Sequence, residues 1–277
     1  MSAVFDTNPA TAAPIEGYRP VAPVVERDGA TAVVDADHVY YRELNEAIQQ
    51  LVADGVRDLT IRGVNGQRYI GNGLTETDLR IRIQGVPGQD LGMFLGGPVI
   101  DVDTNAQDGV GNTMESGEIC VHGSAGDVVG YGMRGGRILI RGDAGYRVGI
   151  HMKQYQNQLP EVIIGGKARD FFGEYMAGGR LVLLDLNSQL AGPALGNYTG
   201  TGMHGGEIFV RGTVDACLCG REVGVVPATP EQLETIRPLV TRYCEAFGAD
   251  ADGIMSQTFT RIAPVSSRPY GNLYCSM

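Results

Sequence analysis

A glycine three residues ahead of a methionine recurs along this chain at measured intervals. Gly111 precedes Met114, Gly130 precedes Met133, Gly149 precedes Met152, Gly173 precedes Met176 and Gly200 precedes Met203. Looser copies begin at Gly71 and Gly92. The steps from Gly92 to Gly111, Gly130 and Gly149 are 19 residues each, and the next two are 24 and 27. A short apolar segment follows each copy, as in Ile119-Cys120-Val121, Ile138-Leu139-Ile140 and Ile208-Phe209-Val210. Glycine costs backbone entropy on folding and brings no side chain to a core. With 41 glycines among 277 residues, the chain must be using them periodically. Short strands at a fixed period, joined by glycine corners, indicate a β-solenoid. At about 3.3 Å per residue, one 19-residue repeat traces roughly 60 Å, enough for a coil with three short sides. The longer steps imply loops bulging from two of the turns.

The coil assigns a job to each repeated residue. Gly132, Gly135, Gly136, Gly202, Gly205 and Gly206 join the five repeat glycines as places where the chain turns sharply or where stacked coils leave no room for a Cβ. Alternation along the strand sends Met133, Ile138 and Ile140 inward and Arg134, Arg137 and Arg141 outward. Methionines 114, 133, 152, 176 and 203 should stack along the axis, where a flexible thioether adapts to irregular gaps. One coil cannot bury its own apolar face, so about seven coils are expected to share a continuous core.

The segment Gly130-Tyr131-Gly132-Met133-Arg134-Gly135 also spells G-x-G-x-x-G. A dinucleotide loop needs a strand before it and a helix after it. Here a strand, Ile138 to Ile140, follows, so no helix N-terminus is available to hold a phosphate. The pattern recurs at Gly200 to Gly205 in the same place within a coil, as a corner would and a phosphate loop need not.

The flanks read differently. Residues 38–55 carry Leu44, Ala47, Ile48, Leu51 and Val52 on one helical face, followed by a strand at 56–63. This unit would cap an open solenoid end. Thr229-Pro230-Glu231-Gln232 is a capping box with proline at the first helical position. Behind it, Leu233, Ile236, Leu239, Val240, Tyr243 and Phe247 share a face and Gly248 ends the helix. The expected organisation is an extended arm (1–36), a helix–strand cap (37–63), a β-helix (64–225), and a C-terminal helix with a docking tail (226–277). In that tail Arg268 and Tyr270 are the candidate interface anchors, since arginine and tyrosine are enriched at binding hot spots.

A net charge of -10 argues against nucleic acid or an anionic membrane as partner, because both attract basic patches. No apolar run reaches 18 residues and no leader pattern is visible. Five scattered cysteines fit a reducing cytoplasm. Catalytic motifs are missing: there is no G-x-S-x-G elbow and no G-x-x-x-x-G-K-[ST] loop. Cys217 and Cys219 lack the four-ligand spacing of a zinc or iron–sulfur site. His122, His151 and His204 sit at different offsets from the repeat and read as structural. Asp108, Asp127 and Asp170 each stand three residues before a repeat glycine and read as corner carboxylates bonded to local N–H groups; an acidic rail guiding ammonium is the competing reading. An independent hydrolase would have to use Ser116 or Ser124, neither of which stands in an elbow. No catalytic, cofactor-binding or metal-ligating residue is therefore assigned to the chain.

The stretches "GYGMRGGRILIRGDAGYRVGIHM", "FFGEYMAGGRLVLL" and "GTGMHGGEIFVRG" resemble the G-x-G-x-G domain at the C-terminus of the glutamate synthase large subunit. The "RELNEAI" helix and the "PVSSRPYGNLY" tail are similar to versions of that domain encoded as separate subunits. The likeness extends to the solenoid subunits of N-methylglutamate synthase and of formylmethanofuran dehydrogenase. It implies a right-handed β-helix that braces a multi-subunit enzyme. It also implies partners: a glutamine amidotransferase subunit that releases ammonia, and an FMN and iron–sulfur subunit that makes glutamate from 2-oxoglutarate. A part in shaping the ammonia path is left open, and so is a different acceptor, such as methylamine or a formyl carrier.

Overall fold

The computed structural model describes residues 20–186 and 191–267. It opens with a hairpin, β1 (Val24–Asp28) and β2 (Thr31–Asp35), turning at Gly29. Helix α1 (Tyr41–Ala53) leads to β3 (Asp58–Asn65). Then come β4 (Arg80–Val86), β5 (Gly96–Val102), β6 (Ser116–Val121), β7 (Arg137–Ile140), β8 (Glu161–Ile164), β9 (Ala177–Leu183) and β10 (Gly205–Arg211). From β2 to β10 each strand pairs parallel with the next, in sequence order. This is a β-solenoid, one strand per coil. The seven strands β4 to β10 each follow a glycine turn, with about six full turns from first to last. Past β10 the chain runs through β11 (Val223–Pro227), α2 (Pro230–Phe247), α3 (Ala251–Met255) and β12 (Phe259–Pro264). Strand β12 pairs antiparallel with β10 and β11, which closes that end of the sheet.

The axis is filled as the repeat predicts. Met114, Met133, Met152, Met176 and Met203 are all fully buried. Beside them Ile81, Ile100, Ile119, Ile138, Val162, Leu181 and Ile208 stand in direct cross-strand register, one per coil. Each such side chain contributes roughly 1.5–3 kcal/mol through burial. The corner glycines are fitted to this column. A Cβ on Gly111 would lie 2.4 Å from Ile138 Cδ1 of the next coil, and its φ of +67° is a conformation side chains disfavour.

The two ends and one side depart from the expected plan. Residues 24–35 are the β1–β2 hairpin rather than an extended arm. The cause is readable: Gly29-Ala30 makes a two-residue turn with glycine at the left-handed first position, and Ala32, Val34 and Ala36 alternate into the core. Strand β2 extends the parallel sheet ahead of β3, so hairpin and α1 together cover that end. The larger departure concerns the outer face. Met133, Ile138 and Ile140 point inward and Arg134 and Arg141 are exposed, as alternation requires, yet Leu139 between them is also fully buried. Leu139 belongs to an outward column in register, Cys120, Leu139, Ile163, Val182 and Phe209. Helix α2 lies across this column and buries Ile236, Leu239, Val240, Tyr243 and Cys244 against it, making a second core. The helix therefore covers a flank of the solenoid. Its termini are as predicted: the Thr229–Gln232 capping box is formed and Gly248 ends it in the left-handed conformation. Arg242 fastens it with a bidentate bond to Glu118, Nη2 donating to Oε1 at 2.6 Å and Nε to Oε2 at 3.2 Å.

This second core makes a direct prediction. Leu239→Ala should lower the stability of the full chain by about 2–5 kcal/mol, read as a shifted denaturant midpoint. A loss below about 1 kcal/mol would mean that α2 is not docked on the β-face in solution.

Candidate functional site

The repeat residues mark where function can reside by filling the interior. With methionine and isoleucine packed along the axis, the coils offer chemistry only on their outer surfaces. Gly132, Gly135, Gly136, Gly149, Gly173, Gly200, Gly202, Gly205 and Gly206 are corner and stacking positions. A Cβ at Gly135 or Gly205, for instance, would meet a carbonyl oxygen of the previous coil at 2.2 or 2.4 Å.

The most unusual surface is the glycine-turn edge. Along it, residues two before and two after the repeat glycines also adopt positive φ. Before them stand Asp90, Val128, Arg147, Phe171 and Tyr198, and after them Phe94, Thr113, His151 and Tyr175. A bulky residue held there costs about 1–3 kcal/mol. Two ladders result. In one, the Arg147 guanidinium lies 4.5 Å over the Phe171 ring, and Phe171 stacks on Tyr198 at 5.0 Å. In the other, Tyr131 meets His151 edge-on at 6.0 Å, and His151 stacks on Tyr175 at 5.4 Å. Gly202 completes the second ladder, since a Cβ there would fall 2.3 Å from the Tyr175 ring. Arg147 is held in place by Glu174 at 3.0 Å. Despite this stacking, Phe94, Tyr131, Tyr175 and Tyr198 remain 39–57% exposed.

The corner carboxylates are committed elsewhere. Asp108 Oδ1 accepts the Asp127 N–H at 2.8 Å, Asp127 Oδ1 accepts the Tyr146 N–H at 2.9 Å, and Asp170 Oδ1 accepts the Asn197 N–H at 2.8 Å. A parallel column runs from Asn105 to Ser124, from Ser124 to Asp143, and from Asp143 to Lys167. These brackets tie coil to coil, so each of the three aspartates already holds a backbone N–H. Ser124 Oγ accepts a backbone N–H in the same way, which makes it a bracket rather than a nucleophile. Ser116 opens strand β6.

Of the histidines, His204 meets the carbonyl of Gly202 at 3.2 Å and His151 sits in the aromatic ladder. His122 is different. Strands β5 and β6 put Asp101 directly opposite Cys120. His122, two residues on, brings Nε2 to 3.1 Å from Asp101 Oδ1 and 3.8 Å from Cys120 Sγ. A carboxylate partner for a histidine does not follow from local spacing. The signal was the 19-residue period itself, which sets Asp101 beside Cys120. The cluster is not a nucleophilic relay, because thiol and carboxylate face the same ring nitrogen, whereas a relay uses both nitrogens. Burial and the nearby Asp101 and Glu118 carboxylates push the Cys120 thiol up to about 12, far from a reactive thiolate. Cys217, exposed, and Cys219, half-buried, stand beside the last coil, where Cys219 bridges to Thr199. An open cleft of about 630 Å³ between α2, α3 and the solenoid is lined by Arg141, Arg211, Tyr243, Phe247 and Asp250. Arg211 is occupied there by the carbonyls of Leu184 and Asp185. The interface candidates Arg268 and Tyr270 lie outside the described residues.

Comparison with known proteins fits this geometry. The model of the GXGXG motif family matches residues 47–265. The chain belongs to the GXGXG family. An uncharacterized protein of Methanocaldococcus jannaschii is 43% identical to this GXGXG chain over 249 residues, covering 87% of it and 95% of the relative. Among solved structures, the formyltransferase/hydrolase complex of Methylorubrum extorquens, in complex with methylofuran, contains a chain that superposes with a TM-score of 0.55 at 22% identity. The match covers 74% of this chain and 72% of that one and establishes a shared fold. No helix among the described residues of the GXGXG chain is long and apolar enough to cross a membrane.

The brackets can be tested. Asp127→Asn keeps an accepting oxygen and should leave stability within about 0.5 kcal/mol. Asp127→Ala strands the Tyr146 N–H and should cost about 1–3 kcal/mol, read by thermal or denaturant unfolding. Equal losses in the two variants would show that the carboxylate charge, not the bracket, is what matters.

Proposed function

We propose that this chain is a non-catalytic scaffold subunit of a hetero-oligomeric enzyme of the glutamate synthase type, working in the cytoplasm. A glutamine amidotransferase subunit releases ammonia, and a second partner, carrying FMN and an iron–sulfur cluster, uses it to make glutamate from 2-oxoglutarate. This chain braces the two and carries neither the flavin nor the iron–sulfur cluster. The observation that carries the reading is the glycine-turn edge. It keeps the rings of Phe94, Tyr175 and Tyr198 exposed on left-handed backbone that glycine would adopt without strain. Contact with a partner gives such residues a use, and exposed tyrosines beside a stacked arginine have the composition of a binding hot spot. Family membership supports the same reading, since the sequence resembles stand-alone glutamate synthase domains.

Ammonia delivery, on this reading, belongs to the surfaces between subunits, because the solenoid axis is packed with methionine and isoleucine. A second reading is favoured by the solved neighbour: the same bracing role in a formyltransferase/hydrolase-type complex. N-methylglutamate synthesis, with methylamine as acceptor, is a variant of the first.

Affinity capture of the tagged chain from its own host, followed by mass spectrometry, separates these readings. An amidotransferase together with a flavin and iron–sulfur protein is the expected result. Formyl-transferring or hydrolase subunits would replace the first reading by the second, and a chain that comes down alone would overturn both. The triple variant Tyr131→Ala, Tyr175→Ala, Tyr198→Ala should lose affinity for its partners by about tenfold or more, on the order of 1.4 kcal/mol or above. Its own unfolding midpoint should fall only by the lost ring contacts, about 0.5–1.5 kcal/mol per pair, since alanine at 175 and 198 keeps the same left-handed backbone.

A further inference from the structure

The cluster on the outer face of β5 and β6 has a geometry that an ion pair alone leaves half explained. His122 Nε2 lies 3.1 Å from Asp101 Oδ1, and a hydrogen bond accounts for that contact. It does not account for Cys120 Sγ facing the same nitrogen at 3.8 Å. One ring nitrogen carries one proton and can direct it at one acceptor. The three donor atoms nevertheless converge, all within 4.8 Å of one another. Around a tetrahedral zinc ion, with bonds of about 2.3 Å to sulfur and about 2.0–2.2 Å to nitrogen and oxygen, neighbouring donor atoms stand roughly 3.3–3.6 Å apart. The observed separations bracket that range.

We infer that Asp101, Cys120 and His122 form a binding site for a divalent transition-metal ion, with zinc the ion best suited to a thiolate, imidazole and carboxylate set. The charges agree once the ion displaces the Cys120 thiol proton to solvent, as a coordinated dication does: a carboxylate and a thiolate then balance it around a neutral imidazole. The neighbouring cations are otherwise engaged: Arg242 is bonded to Glu118 at 2.6 Å, and Arg82, in register beside Asp101, pairs with Asp103 at 3.0 Å. The site is held rigidly. Two of its ligands are fixed by strand register, and the His122 ring is braced edge-on by Phe247 at 5.1 Å, at the C-terminal end of α2. Cys120 is buried, while the Asp101 and His122 side chains are 47% and 33% exposed. The ion therefore enters from solvent, and the fourth position is left to water. Because the ligands come from β5 and β6 and the brace from α2, the ion ties the helix to the solenoid flank.

The test uses the full chain, stripped with a chelator and titrated with cobalt(II). One equivalent should bind with a thiolate-to-cobalt charge-transfer band in the near ultraviolet, and zinc should displace it. Cys120→Ser should abolish the band. His122→Gln and Asp101→Asn, at partly exposed positions that the fold tolerates, should weaken binding by about an order of magnitude or more. The double variant Cys217→Ser, Cys219→Ser should keep the band. Absence of cobalt binding by the intact chain overturns the inference. So does a band that survives Cys120→Ser or disappears with the double variant. Far-ultraviolet circular dichroism of each variant separates loss of the site from loss of the fold.

Discussion

Successive coils of this molecule lie one backbone hydrogen bond apart, and almost every other feature answers to that spacing. A parallel ladder sets neighbouring strands about 4.8 Å from each other, so wherever the chain turns, a side chain pointing along the stack would collide with the coil beside it. The glycines sit at those points. Their second use is to admit a bracket. At Gly126 and Gly145 a Cβ would fall 2.0 Å from Asp108 Oδ1 and Asp127 Oδ1, which reach across to bond the next N–H. Without a side chain at the glycine the carboxylate approaches, and the turn gains a bond between coils that the strands alone do not supply.

The same stacking fixes charge. At the strand position facing the next coil, Glu118, Arg137, Glu161, Arg180 and Glu207 stand in register with alternating sign. Arg137 pairs with both neighbouring glutamates at 3.5 Å, and Arg180 reaches Glu161 at 3.4 Å. These pairs are part-buried, and single pairs near a surface contribute modestly. Their value here is register: a strand displaced by one coil would set like charge against like. A structure built from near-identical repeats needs such a device, because its methionines and isoleucines would pack equally well one coil out of place.

How much of this could be read from the residues depends on whether the signal was periodic or lay between elements. The glycine–methionine repeat is periodic, and it carried the solenoid, the corner glycines and the buried methionine column; the corner aspartates were expected to bond local N–H groups, whereas they bond those of the next coil, 19 to 27 residues on. The alternating Glu118-to-Glu207 column is equally periodic and was legible in the same alignment, just ahead of each apolar segment. The cover on the outer face lay between elements. Its trace is local: β4 reads Arg-Ile-Arg-Ile, with one wet face, whereas β7 reads Ile-Leu-Ile and β9 Leu-Val-Leu. Continuous apolar runs mean burial on both faces. The Leu239 face of α2 had to land somewhere, and those runs form the β-face that fits it. The Asp101–Cys120–His122 cluster was hidden for a further reason. Residues 21 apart become neighbours only when the 19-residue register is combined with the two-residue alternation of a strand.

The glycine-turn edge and the α2 flank divide the outer surface into two regimes. On the flank, apolar residues are covered by the molecule's own helix, and Arg242 and Tyr243 lock that helix to β6 and to the carbonyl of Arg141. On the edge nothing of the described chain covers Phe94, Tyr131, Tyr175 or Tyr198 completely. Stacking recovers about 0.5–1.5 kcal/mol per aromatic pair against about 1–3 kcal/mol for each left-handed residue, so the ladders recover only part of their own strain and leave no surplus for folding. An arrangement that adds nothing to the stability of the isolated chain, yet holds exposed tyrosines in fixed stacks, loses little conformational entropy when another surface meets it. Low ordering cost is what converts contact area into affinity. The turns thus do two things at once: the glycines let the coils close on each other, and the residues flanking them present a preformed face outward.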